Sequence, residues 1–170
     1  MELTIRQGKT EDIDAIVRIF RACWQESYRD LLSEDVRNAM SLEKARDLWL
    51  PALSSKSDRE TLVACVDENP IGMTRIGPDP DFPNRGHLFS LYIEPKYAGK
   101  GFGKALLTAA LSRLSERDSK EISLWVFKAN LGAIGLYKKM GFEPTGRERT
   151  DTRWQSLEIE MLHGQITSLL

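Results

Sequence analysis

Cysteine is nearly absent from this chain: Cys23 and Cys65 are the only two in 170 residues, each in an apolar stretch. Two such residues make neither a disulfide framework nor the paired spacing of a metal site, so no metal is expected. A reducing, cytoplasmic setting fits that usage. No apolar run approaches the roughly 18 residues needed to span a bilayer, and Met1-Glu2-Leu3-Thr4-Ile5-Arg6 lacks the apolar core of a signal peptide. No charge of one sign dominates either. The formal net charge is −1, which excludes a global basic field for nucleic acid or an anionic membrane. Any anion site must be local. Repeats and low-complexity tracts are also missing.

What remains is ordinary for a globular domain: 41% hydrophobic and 29% charged residues in a chain long enough to bury a core without staples. A single domain over 1–170 is expected, with its core at about 3–162 and a short C-terminal tail from His163. Glu2–Gln7 reads as a short strand. Thr10 can cap a helix carrying Ile13, Ile16, Val17, Phe20 and Trp24 at helical spacing. Residues 33–50 read as a second helix. Thr61–Val66 and Ile71–Ile76 read as a hairpin around Asp67-Glu68-Asn69-Pro70. The proline-rich stretch 77–84 is a loop, and Gly86–Glu94 a strand. A helix over about 102–116 has Leu106, Leu107, Ala110, Leu111 and Leu114 on one face. Glu121–Phe127 has the near-continuous apolar character of a central strand. Asn130 caps a helix that Gly141 stops, and residues 142–149 and 154–162 form a last strand pair. The order is β-α-α-β-β-β-α-β-α-β-β, an α/β fold with a mixed sheet, since hairpins and a crossover both occur.

Gly99-Lys100-Gly101-Phe102-Gly103-Lys104 joins a strand to a helix. Unpaired N–H groups at a helix start carry partial positive charge, and glycines let an anion approach them. A P-loop would need glycine at Ala98 and a hydroxyl at Ala105. The dinucleotide fingerprint fails as well, because its third glycine falls on Lys104 or Leu106. A turn with no ligand is the plainer alternative.

The second motif is Asn130-Leu131-Gly132-Ala133-Ile134-Gly135-Leu136-Tyr137-Lys138-Lys139-Met140-Gly141-Phe142. It resembles the N-x-x-A-x-x-x-Y-x-x-x-G-F segment of the GNAT superfamily of N-acetyltransferases. Ala98-Gly99-Lys100-Gly101-Phe102-Gly103 resembles their pyrophosphate loop, with Ala98 where the family usually has Arg or Gln. Trp24-Gln25-Glu26-Ser27-Tyr28 is similar to the W-x-x-x-Y of a branch that includes polyamine and small-amine acetyltransferases.

The resemblance implies the GNAT fold and transfer of acetyl from acetyl-CoA to a primary amine, with a small molecule as acceptor. It implies that Tyr137 protonates the departing sulfur and that Asn130 contacts the pantetheine arm. The backbone of Leu91, Tyr92 and Ile93 would pair with the pantetheine amides, with an N–H near Ile93 as oxyanion donor. Ala98, Gly99, Lys100, Gly101, Phe102, Gly103 and Lys104 would hold the pyrophosphate. Trp24 and Tyr28, four apart, would line the acceptor cleft or belong to the core.

His87 stands where that branch often carries a glutamate base. Its unperturbed pKa near 6.5 suits proton acceptance, and alternation places it with Phe89 and Leu91 on one face. A structural histidine is the equal alternative; a catalytic one would shape the rise of kcat/KM with pH. Glu94 is a weaker base candidate. Glu26, Asp30, Asp79 and Asp81 could attract a cationic amine, and Cys23 and Cys65 read as buried apolar residues rather than nucleophiles. Homodimers are frequent in the family. The competing functions are an acyl-CoA-binding regulatory module without turnover and acetylation of protein N-termini or lysines.

Overall fold

The computed structural model describes residues 1–54 and 56–164; the tail expected from His163 lies outside them beyond Gly164. The chain opens with β1 (Leu3–Gln7), and a 3-10 turn at Thr10–Asp12 leads into α1 (Ile13–Ala22). Thr10 is not the cap. Asp12 stands at the N-cap position of α1, but its carboxylate reaches back across the 3-10 turn to accept the Lys9 N–H at 2.8 Å while Arg6 holds it at 2.8 Å. α1 widens into a π-helical turn at Cys23–Ser27. The single helix expected over 33–50 is two, α2 (Glu34–Ala39) and α3 (Leu42–Trp49). Ser33 and Ser41 explain the break: each accepts the N–H three residues on, from Val36 and Lys44, and so starts its own helix.

β2 (Glu60–Val66) and β3 (Asn69–Pro78) form the hairpin, turned by Asp67 and Glu68 at φ +48° and +70°. There follow β4 (Gly86–Ile93), α4 (Phe102–Ser115), β5 (Ile122–Phe127), α5 (Leu131–Lys139), β6 (Glu143–Asp151) and β7 (Ser156–His163). The seven strands make one sheet in the order β1-β2-β3-β4-β5-β7-β6. Every neighbouring pair is antiparallel except β4 with β5. A parallel pair needs a crossover, and α4 provides it.

Helices cover both faces of the sheet. On one, Leu106, Leu107, Ala110, Leu111 and Leu114 of α4 are buried with Ile134 and Tyr137 of α5. On the other, Ile16, Ile19 and Phe20 of α1 and Trp49 of α3 are buried with Val63 and Met73.

Glu60, at the head of β2, ties the sheet to the far end of α4. It is buried and meets Arg113 and Arg117 at 2.6 Å each. Burial pushes its carboxyl up, but the two guanidiniums outweigh that and hold it below the usual carboxylate range. Glu60→Ala should cost about 1–2 kcal/mol, kept modest because both guanidiniums stay in contact with solvent. A urea melt with an unchanged midpoint would contradict this.

One irregularity organises the functional end. In the β3–β4 register Arg75 faces Ser90 and Ile76 faces Leu88, so Phe89 is an extra residue, a β-bulge. Side-chain alternation slips by one there. His87 and Phe89 share a face, with rings 4.6 Å apart. Leu91, expected on that face, instead packs against the α4 side, and Tyr92 takes the α1 side.

Candidate active site

A bulge bends the strand that carries it, and β4 bends away from β5 at that point. Their parallel pairing covers only Gly86, His87 and Leu88, opposite Ile122, Ser123 and Leu124. Beyond it lies a cavity of about 580 Å³. Ser90, Leu91 and Tyr92 line it from β4, and Leu124–Phe127 from β5. Asn130, Ala133 and Tyr137 reach it from α5, and Phe20, Trp24, Tyr28 and Trp49 from the opposite layer. It therefore passes through the sheet. β4 is bonded to β3 on one edge through Ile93. From Phe89 on, the edge towards β5 has no ladder partner and offers backbone donors and acceptors to an extended amide chain.

The glycine loop follows β4 directly. Gly99 and Gly101 sit at φ +75° and +85°, backbone that a side chain would strain. A Cβ on either would meet nothing within 4 Å, so the cradle is open. The first bond of α4 is donated by Ala105 to the Gly101 carbonyl at 3.1 Å. The N–H groups of Phe102, Gly103 and Lys104 precede it and lack a helical acceptor. Lys100 and Lys104 are exposed beside them, with the Lys100 ammonium 5.6 Å from the Tyr97 ring. Open amides, positive helix end and two mobile cations fit a pyrophosphate. Ala98 is exposed and adds no charge.

Asn130 caps α5, its side-chain oxygen accepting the Ala133 N–H at 3.2 Å. Tyr137, two turns on, is buried with its ring edge-on to Phe142 at 5.8 Å. Burial, with a smaller push from Tyr92, raises its hydroxyl pKa. Tyr137 is thus a protonated donor throughout the neutral range.

His87 is buried beside a polar relay that alternation alone could not reveal. Its Nδ1 lies 2.7 Å from Ser123 Oγ, and the Ser123 hydroxyl donates to the Asp79 carboxylate. Ser123 spends its proton on Asp79, so its oxygen accepts from His87 Nδ1–H, leaving the lone pair on Nε2. Burial pulls the imidazole pKa down to about 4, only partly countered by Asp79. At neutral pH His87 is therefore a neutral imidazole, and its 3.9 Å approach to the Asp79 carboxyl is not an ion pair. A rise of kcat/KM near pH 6.5 is not expected from His87; burial moves its titration to about pH 4.

Glu94 lies outside the cavity, with Arg18 and Lys96 each 3.7 Å away. Asp79 is buried and also receives the Asp81 N–H at 2.8 Å, so it offers no surface charge to a passing amine. Both cysteines are free and buried. Burial pushes Cys23 up to about 12, and its thiol donates to the Ile93 carbonyl at 3.2 Å.

Trp24 and Tyr28 do line the cavity, in an edge-on aromatic cluster with Phe20, Tyr92, Phe127 and Trp154. Trp24 is also core, 3% exposed. Sequence patterning missed Arg75, Ser90, Trp49 and Ser123. The available signal was polarity out of place: Arg75 is the lone charge in a buried strand, and Ser123 interrupts an apolar one.

The acetyltransferase (GNAT) family model matches residues 13–142. A spermidine N(1)-acetyltransferase of Thermoplasma acidophilum is 27% identical over 158 residues, 89% of this chain and 94% of that protein. A peptidyl-lysine N-acetyltransferase, YjaB, of Salmonella typhimurium is 29% identical over 152 residues, 89% and 90% of the two chains. The crystal structure of the PaiA N-acetyltransferase of Thermoplasma acidophilum in complex with coenzyme A superposes with a TM-score of 0.80 at 26% identity. It covers 94% of this chain and 98% of that one. With the parted strands, the glycine cradle and Tyr137 in place, these matches agree: the chain belongs to the acetyltransferase (GNAT) family and is an acetyl-CoA-dependent N-acetyltransferase.

Proposed function

We propose that the protein transfers acetyl from acetyl-CoA directly to the primary amine of a small molecule, within one ternary complex. The observation that carries this reading is the single cavity through the sheet, with Tyr137 on the α5 side and His87 and the aromatic cluster on the other. An N–C bond forms as the thioester C–S bond breaks. The amine gives up one proton and the sulfur takes one. His87 Nε2 accepts the first and the Tyr137 hydroxyl donates the second, the tyrosine regaining its proton from solvent afterwards. An N–H on the unpaired β4 edge near Ile93 faces the developing oxyanion. No acyl-enzyme is needed, and Cys23 is held as a hydrogen-bonded thiol.

Free thiol release on incubation with acetyl-CoA and a panel of amines tests the reading. Release that requires the amine supports it. Tight CoA binding with no release for any amine points instead to a regulatory module, and release only with peptides points to a protein acceptor. Tyr137 speaks against the regulatory module, because a pure binding domain has no use for an acid at the sulfur.

The loop residues would hold the pyrophosphate of the donor, with Lys100 and Lys104 supplying the charge that Ala98 does not. Lys100→Ala and Lys104→Ala should each raise the KM for acetyl-CoA about 3- to 10-fold while changing kcat less than about twofold. The effect should shrink at high salt, as it does for exposed ion pairs. If neither variant moves KM, the backbone amides alone hold the phosphates.

A further inference from the structure

Four buried polar side-chain atoms have no hydrogen-bond partner among the described residues: Trp24 Nε1, Trp49 Nε1, Arg75 Nε and Ser90 Oγ. All four residues line the one cavity. Three of the four atoms can only donate, and the serine hydroxyl can donate as well. Arg75 and Ser90 are directly opposed in the β3–β4 register and so share a face. Trp24 and Trp49 are 3% and 4% exposed, so water in bulk does not satisfy them.

The charges around them are lopsided. Each carboxylate lining the cavity already has an arginine: Asp81 with Arg147 at 3.4 Å, Asp151 with Arg153 at 2.8 Å, Glu158 with Arg149 at 3.1 Å. No carboxylate lies within ion-pair distance of Arg75 or Arg59 among the described residues. Arg59 instead rests its guanidinium 3.9 Å from the Phe89 ring, the bulge residue. Burial first, and repulsion from Arg59 second, pull the Arg75 guanidinium below its ordinary value, against a smaller opposing pull from Asp58. A half-buried guanidinium with an orphaned N–H is costly unless something brings it an acceptor.

We propose that Arg75, with Ser90 and Arg59, forms a subsite for an acidic group on the acceptor, so that the amine acetylated is one that also carries a carboxylate or a phosphonate. This rests on the acetyltransferase reading and narrows its acceptor. A polyamine offers this end only further cations and donors and is repelled. An anionic oxygen satisfies the guanidinium in its planar fork, beside the Ser90 hydroxyl that the strand register sets opposite Arg75.

The test is a matched series of acceptors, two to six carbons long, with a primary amine at one end. The other end is a carboxylate, a phosphonate, a neutral amide or a second amine. Initial rates of acetyl-CoA-dependent thiol release give kcat/KM for each. At the best length an anionic compound should exceed the amide and the diamine by at least about tenfold, as expected for a partly desolvated charge pair. Whichever of carboxylate and phosphonate is faster identifies the natural acid group. In Arg75→Gln, kcat/KM for that acid should fall about thirtyfold or more, and its advantage over the amide should largely vanish. Arg75→Lys should recover part of it. Should Arg75→Gln lose its cooperative melt, the exposed Arg59→Gln gives the same readout with a smaller fall. A diamine or amide used as well as the acid overturns the anionic subsite but leaves the acetyltransferase. If no amine releases thiol, calorimetry on the CoA complex decides the subsite separately. Binding of the amino acid or aminophosphonate that weakens in Arg75→Gln keeps it; no such binding overturns it.

Discussion

Tyr137→Phe should lower kcat about 10²–10³-fold, the range in which a positioned general acid acts, while the protein keeps its stability. The two halves of that expectation come from different features of the same side chain. The ring fills a buried site against Phe142, and phenylalanine keeps that packing. The hydroxyl holds no hydrogen bond to another described side chain or backbone group, so removing it leaves no partner stranded. Its buried position keeps the proton on the oxygen at neutral pH, so the hydroxyl is in its donating form when negative charge develops on the departing sulfur. The KM for acetyl-CoA should change little, since the cradle at Gly99–Lys104 is untouched. Thiols that leave more easily should recover part of the lost rate. A kcat within threefold of the parent, with an unchanged melting temperature, would make Tyr137 a packing residue and remove the acid from the mechanism.

How far such a role could be read from sequence depended on whether its cause is local. Asn130, Tyr137 and Gly141 fall within one helix and its cap, so residue type and spacing gave the cap and the stop, while the role proposed for Tyr137 came from the family resemblance. The observed cap bond from Ala133 is the one that spacing implies. The glycine cradle was equally legible, because positive φ at Gly99 and Gly101 is a demand on individual residues. The bulge at Phe89 was not. It arises from how β3 and β4 pair, and a one-residue slip exchanges the faces of everything after it. Leu91 was assigned to the wrong face for that reason. The same bulge parts β4 from β5, so the gap itself has no signature in either strand alone. The proposed acceptor end was hidden more deeply. It gathers Trp24, Trp49, Arg75 and Ser90 from four elements, and only the finished sheet shows that these residues, each with an unpartnered donor, line one cavity. The helix break at Ser41 stands between these extremes: the capping serine was visible, but 18 residues of compatible pattern concealed a second start.

His87→Gln should lower kcat/KM about 10²-fold at neutral pH and, separately, flatten the dependence of stability on acid. The catalytic part follows from the relay. Asp79 and Ser123 fix the tautomer that leaves Nε2 basic, and once Nε2 takes the amine's proton the Asp79 carboxylate is 3.9 Å from Nδ1 to stabilise the imidazolium. Glutamine can still donate to Ser123 but cannot accept a proton. Because burial holds the free imidazole at about 4, the parent should show no inflection in kcat/KM near pH 6.5 that the variant lacks. The stability part has a definite sign. In the unfolded chain the histidine titrates near 6.5, in the fold at about 4, so the unfolded state binds the extra proton between those values. Stability is full above about pH 6.5 and declines as pH falls towards 4, by up to about 3 kcal/mol. Asp12, Glu60 and Asp151, all held below their usual range, add further loss in acid, but parent and variant share that loss equally. Melting temperatures at pH 7.5 and pH 4.5 therefore isolate the histidine: the parent should drop further than His87→Gln between the two. Parallel drops would mean that His87 is protonated as readily inside the fold as outside it. An undiminished kcat/KM at pH 7.5 would return it to a structural role and leave water as the acceptor of the amine's proton.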